Sequence, residues 1–150
     1  TILTQPELGR AFDEAIDFIN SYTREGDPVA VLPEGTSLDF LTDRRNPLRE
    51  EIITPGFLDR DGEERAIRQL SESGTNLILV TNRPTPEFGS TLFGVDYCQD
   101  LSNWIDSNYD LGAVLGLNHD PHQKVGDKTF FIKAYVKKDR PLPNGVSYLQ

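Results

Sequence analysis

The chain has 150 residues, 26% charged and 37% hydrophobic, with a formal net charge of −9. That length suits one domain burying roughly 70% of its unfolded surface, and the apolar content is too high for a disordered segment. The acidic balance argues against nucleic acid or an anionic membrane as a partner, no run approaches the ~18 apolar residues of a membrane span, and a single cysteine excludes a disulfide framework or a thiolate metal cluster.

From Pro6 to Glu25, Leu8, Phe12, Ala15, Ile16 and Ile19 recur at helical spacing, with Asp13, Glu14 and Asp17 on the other face. Thr4 is the expected cap, and Gly26 the stop before Asp27-Pro28. Val29-Ala30-Val31-Leu32 is continuously apolar, as a strand covered on both faces should be. One or two helical turns are expected over Leu38–Thr42, then turns at Arg44-Arg45-Asn46-Pro47 and Thr54-Pro55-Gly56. A second long helix is predicted from about Gly62 to Ser73, and a second buried strand over Leu77–Thr81. Beyond an irregular loop from Asn82 to Gly94, the positions of Tyr97, Leu101, Trp104 and Ile105 mark a third helix ending near Asn108-Tyr109. Gly112–Leu117 reads as a third strand, and Thr129–Val136 as a strand with one wetter face carrying Lys133 and Tyr135. The intervening Asn118–Lys128 suits a long hairpin loop.

Alternation of helix and strand predicts an α/β fold. The expected form is a three-layer Rossmann-like sandwich, with a mainly parallel four-stranded sheet and an antiparallel C-terminal edge strand. Residues 1–140 form the expected single domain, and 141–150 a peripheral tail. With no methionine and Thr1 first, the sequence is expected to be part of a longer translation product.

Chemistry concentrates in Leu32–Pro47. Glu34 directly follows the first strand, at the end where an open sheet forms its binding crevice. It could serve as an acid or base, hold sugar hydroxyls, or simply pair with Arg44 or Arg45 or cap the next turn. The guanidinium forks of Arg44, Arg45 and Arg49 suit a phosphate or carboxylate, but Asp39, Asp43, Glu50 and Glu51 stand close enough to neutralise them. Asn82 and Arg83 follow the second strand and would converge with Glu34 if the two strands are neighbours. The ligand-binding candidates are therefore Glu34, Thr36, Arg44, Arg45, Asn46, Asn82 and Arg83. No residue is assigned to catalysis, and no cofactor is expected. His119-Asp120-Pro121-His122 reads as a surface loop rather than a metal site, and Cys98 as a small buried residue on the third helix. Glycine patterns for dinucleotides or a P-loop are absent.

The segment LPEGTSLDFLTDRRNPLRE resembles one that recurs in the C-terminal soluble portion of bacterial membrane glycosyltransferases related to the dolichyl-phosphate-mannose protein mannosyltransferases. Asp43 stands where that pattern more commonly has glycine. Phe93–Tyr97, Trp104–Tyr109 and the strand Phe130–Lys137 are also similar to that family's tail. The resemblance implies a detached extracytoplasmic (periplasmic) domain of an enzyme that takes sugar from a polyprenyl-phosphate carrier. Its partner would be the transmembrane part of the same polypeptide, with a glycan or polyprenyl-phosphate headgroup as a further ligand. The family's catalytic acid lies in an extracytoplasmic loop near its amino-terminal membrane helices, so by that resemblance Glu34 would not inherit the role. Two other readings stand beside this one: a free-standing α/β hydrolase or sugar-nucleotide enzyme with Glu34 as acid or base, and a scaffold domain without chemistry.

Overall fold

The computed structural model describes residues 6–50, 53, 55, 60–82, 92–116 and 130–140, without the side chains of residues 6–8, 36 and 60. It begins with helix α1 (Pro6–Tyr22), strand β1 (Val29–Leu32) and the short helix α2 (Thr36–Thr42). Helix α3 (Arg60–Glu72) and strand β2 (Leu77–Thr81) follow, then α4 (Gln99–Asn108), β3 (Tyr109–Gly116) and β4 (Phe131–Lys137). The expected tail at 141–150, the His119–His122 segment and the Asn118–Lys128 link lie outside the described residues.

The four strands form one open sheet in the order β1-β2-β4-β3. β1 and β2 pair in parallel, with Leu32 opposite Val80, whereas β4 is antiparallel to both β2 and β3. The pairings correct the expectation of a mainly parallel sheet with the C-terminal strand at its edge. β1, β2 and β3 do point the same way, as helix–strand alternation requires. β4, however, returns from β3 and inserts between β3 and β2 instead of adding outside β3, so only one parallel pair survives and β3 becomes the edge. Its composition suits that place: Phe131, Ile132, Ala134 and Val136 are buried, and an interior position satisfies both rows of backbone groups.

Alternate strand residues feed two apolar clusters. Val29, Val31, Leu77, Leu79, Ile132, Ala134 and Val136 pack with Ala11, Ala15, Phe18 and Ile19 of α1 and with Leu38 of α2. Ala30, Leu32, Ile78 and Val80 pack with Ala66 and Leu70 of α3 and with Leu101 and Ile105 of α4. Of the stripe predicted for α1, Ala15 and Ile19 are buried and Phe12 and Ile16 only partly so; Ala11 and Phe18 complete the buried face.

Two boundaries differ from expectation for local reasons. α4 starts after Cys98, not before it, because Cys98 is in the left-handed region (φ 54°) and ends the preceding turn. β3 starts at Tyr109, immediately after α4, and absorbs Gly112 as an irregularity between the pairs at Leu111 and Ala113. The Tyr109 hydroxyl donates to the Thr75 carbonyl at 2.6 Å, tying this start to the turn before β2.

Candidate functional site

The segment after β1 is built as a brace. Gly26 N–H donates to the Asp43 carbonyl, Arg45 N–H to Asp27, and Val29 N–H to Arg45, so residues 43–45 lie alongside the entry to β1. The other end of β1 is held where Ile53 N–H donates to the Pro33 carbonyl at 2.7 Å. Between these ties sits α2, opened by Gly35, whose carbonyl accepts from Leu38 and Asp39 N–H. Asp43 closes it in the left-handed region (φ 53°, ψ 47°). Glycine takes that backbone more readily than aspartate does.

Arg44 was a candidate phosphate clamp, but its guanidinium is committed to the protein. Nε donates to Thr23 Oγ1 at 2.8 Å, Nη2 to the Thr23 carbonyl at 3.1 Å and to Asn20 Oδ1 at 3.4 Å, and Nη1 to the Thr42 carbonyl. The fork thus joins the end of α1 to the end of α2 through neutral oxygens. Replacing it by lysine keeps the charge and loses the fork. We expect Arg44→Lys to cost about 1–2 kcal/mol in urea unfolding, the worth of two neutral hydrogen bonds.

The Asn46 carboxamide is also spent locally: its oxygen accepts from Leu48 N–H at 3.0 Å, and its nitrogen donates to the Glu50 carbonyl at 3.4 Å. This is a turn-forming use of asparagine. Arg45 keeps an exposed side chain while its backbone serves β1. Thr36 opens α2, and Arg83 lies outside the described residues. Glu34 is half-buried and already engaged within the chain.

Of the three residues expected to meet, Glu34 and Asn82 are among the described ones and share an end of the sheet. β1 and β2 are neighbours in register, so Glu34 and Asn82 both leave that end. Asn82, however, is buried and turned toward β4, where its Oδ1 accepts from Phe131 N–H at 2.9 Å and its own N–H donates to the Phe131 carbonyl at 3.3 Å. Its service is to extend the β2–β4 ladder by one residue.

Two of the acids expected to neutralise the arginines, Asp39 and Asp43, have other surroundings. Asp39 is only 6% exposed and has an Oδ1 without a hydrogen-bond partner. Burial alone pushes its carboxyl up to about 7. Asp43 instead faces Glu25, whose carboxyl is raised chiefly by a hydrogen bond to Asp43. Asp43→Gly should therefore stabilise the chain by about 1 kcal/mol, since glycine takes the left-handed backbone without strain. A thermal midpoint that stays level or falls would count against this reading of the cap.

α2 also turns two large apolar side chains outward, Phe40 at 84% and Leu41 at 64% exposure. Leu38 and Thr42 occupy its buried side. Cys98 is buried as expected, and its thiol is pushed up to about 12 by burial and by the charge of Glu63, so it is a poor nucleophile.

Sequence reasoning missed a second polar grouping, in a cleft between α4 and β4. Ser102 and Asp106 stand one turn apart on α4 and face Lys133 and Tyr135 on β4, with Phe93 and Phe131 beneath. The cleft has a cavity volume of about 40 Å³, room for a few waters at roughly 10–15 Å³ each. Lys133 Nζ lies 5.8 Å from the centre of the Phe131 ring. The signal in the sequence was the wetter face of the last strand combined with the i, i+4 spacing of Ser102 and Asp106.

Among the described residues, no group of three or more His, Cys, Asp or Glu is placed to hold a metal ion, and no helix is long and apolar enough to cross a membrane. Comparison of the chain with protein-family models, curated proteins and solved structures finds no match.

Proposed function

We propose that this chain is a non-catalytic accessory domain of a polyprenyl-phosphate-sugar-dependent membrane glycosyltransferase. In this reading it lies on the extracytoplasmic side of a bacterial membrane and packs on the transmembrane part of its own polypeptide. The resemblance of Leu32–Glu50 to that family supplies the class. The observation that carries the division of labour is how the same segment is used: Arg44 and Asn46 bond groups of the protein itself, while Phe40 and Leu41 of the same loop and helix turn outward. A loop built to clamp a phosphate would keep its guanidinium forks available. One that braces a docking helix would spend a fork on the brace, as Arg44 does here.

The fold is read as a three-layer arrangement of Rossmann-like character. Support comes from the two clusters, one gathering α1 and α2 and the other α3 and α4 on alternate residues of the same strands.

The reading frame that encodes this chain provides the first test, with several apolar helices expected ahead of Thr1; a short soluble leader there would sink the proposal. In such a full-length protein, Phe40→Ser with Leu41→Ser should loosen the domain from the membrane part. The readout is faster limited proteolysis at unchanged domain stability, because exposed apolar side chains contribute within about ±0.5 kcal/mol to folding.

A further inference from the structure

The cleft between α4 and β4 brings polar groups from two elements over an apolar floor. Ser102 and Asp106 share one face of α4, and Lys133 and Tyr135 are alternate residues on one face of β4. Thr81 and Asn82, at the end of β2, close one end of the cleft. Gly94 packs closely on Ser102: a Cβ on this residue (φ +79°) would lie 2.6 Å from Ser102 Oγ. Asp106 also sits near enough to Tyr135 for its charge to add to the effect of burial, which holds the phenol protonated to about 12. Tyr135 is therefore a hydroxyl donor close to the Asp106 side chain.

We propose that this cleft binds one edge of a small neutral polyhydroxy ring, a monosaccharide or cyclitol, through Asp106, Ser102 and Tyr135. The mixture of groups selects the class. Carboxylate, hydroxyls and ammonium together offer both acceptors and donors, as neighbouring ring hydroxyls require, and Phe93 and Phe131 supply apolar surface for ring C–H groups. An anion would meet Asp106, and a cation would meet Lys133. The small volume admits a hydroxyl or hydroxymethyl edge, with the rest of the ring outside. This inference stands on the cleft alone and does not depend on the transferase reading.

The test is a titration of the isotope-labelled chain followed by amide chemical shifts, with methyl β-D-glucopyranoside and myo-inositol as probes and glycine as the zwitterionic comparison. At least one polyol should give saturable shifts at Ser102, Asp106, Lys133 and Tyr135, with a Kd of roughly 1–10 mM. Asp106→Asn and Tyr135→Phe, each retaining a native-like spectrum, should weaken it about 5–10-fold, the loss of one hydrogen bond. Phe40→Ser should leave the affinity unchanged. The proposal is overturned by an absence of saturable shifts up to about 50 mM of either polyol, far above that Kd. Equal affinity in the wild type and both cleft variants, or a stronger response to glycine than to the polyols, would overturn it as well.

Discussion

Asp39→Asn is expected to stabilise the folded chain by about 2–4 kcal/mol at pH 8 and to change it little at pH 4. The Asp39 carboxyl has an ordinary value of 3.8 and is pushed up to about 7 by burial, with one oxygen left unpaired. A raised carboxyl means that the folded chain holds the proton more tightly than the unfolded chain does. Its favourable contribution is complete below about 3.8, declines as pH rises from there, and is exhausted above about 7. Each unit of that interval is worth about 1.4 kcal/mol, which sets about 4 kcal/mol as the ceiling. Asparagine has nearly the same shape and cannot ionise, so it removes the pH-dependent cost while retaining a buried polar group. Urea midpoints measured for both proteins from pH 4 to pH 8 isolate the effect, because the other carboxylates tilt both curves alike. Curves that run parallel would mean that Asp39 is ionised or partnered in the folded chain.

Asp39 also marks where sequence reading reached its limit. The elements were legible because apolar period and burial agree: Ala11, Ala15, Phe18 and Ile19 line one face of α1, and Val29–Leu32 and Leu77–Thr81 are buried throughout. The place of β4 was not. Its alternating pattern fits an edge as well as an interior strand, and only pairing on both sides decides between them. The candidate site failed in a different way. Arg44, Asn46 and Asn82 bond main-chain groups, and a guanidinium or carboxamide used in that way has the same one-letter signature as one waiting for a ligand. Asp39 looked like a local counter-ion because sequence distance was taken for spatial distance. α2 is a helix, so a step of one residue from Leu38 or Phe40 rotates the side chain by roughly 100°. The cleft groups were visible separately, but their meeting depends on α4 lying over β4, which no spacing within one segment reveals.

Gly35→Ala should cost about 3 kcal/mol or more, one of the largest losses available from adding a single methyl group. Backbone freedom is not the reason: Gly35 has φ −163°, an extended value open to any residue. The reason is space. A Cβ at this position would lie 1.9 Å from Val31 Cβ and 2.3 Å from its Cγ1, so helix α2 must move away from β1. The pair of substitutions used to relieve such a clash separates the possibilities. Val31→Ala keeps the Cβ that is struck and should not rescue Gly35→Ala. Val31→Gly removes it and should recover part of the loss, less the burial of valine itself, about 1.5–2 kcal/mol. Thermal midpoints of the four proteins check this, and full rescue by Val31→Ala would show that α2 approaches β1 less closely. The consequence reaches the proposed function, because the contact that excludes a methyl at Gly35 also seats Leu38 in the core and thereby turns Phe40 and Leu41 to the outside. Pushing α2 off the strand would disturb both faces together. If Leu32–Pro47 were a ligand loop on an independent scaffold, Gly35→Ala would change binding and leave the melting transition in place. A brace predicts the reverse: stability falls first, and the outward face is lost along with it.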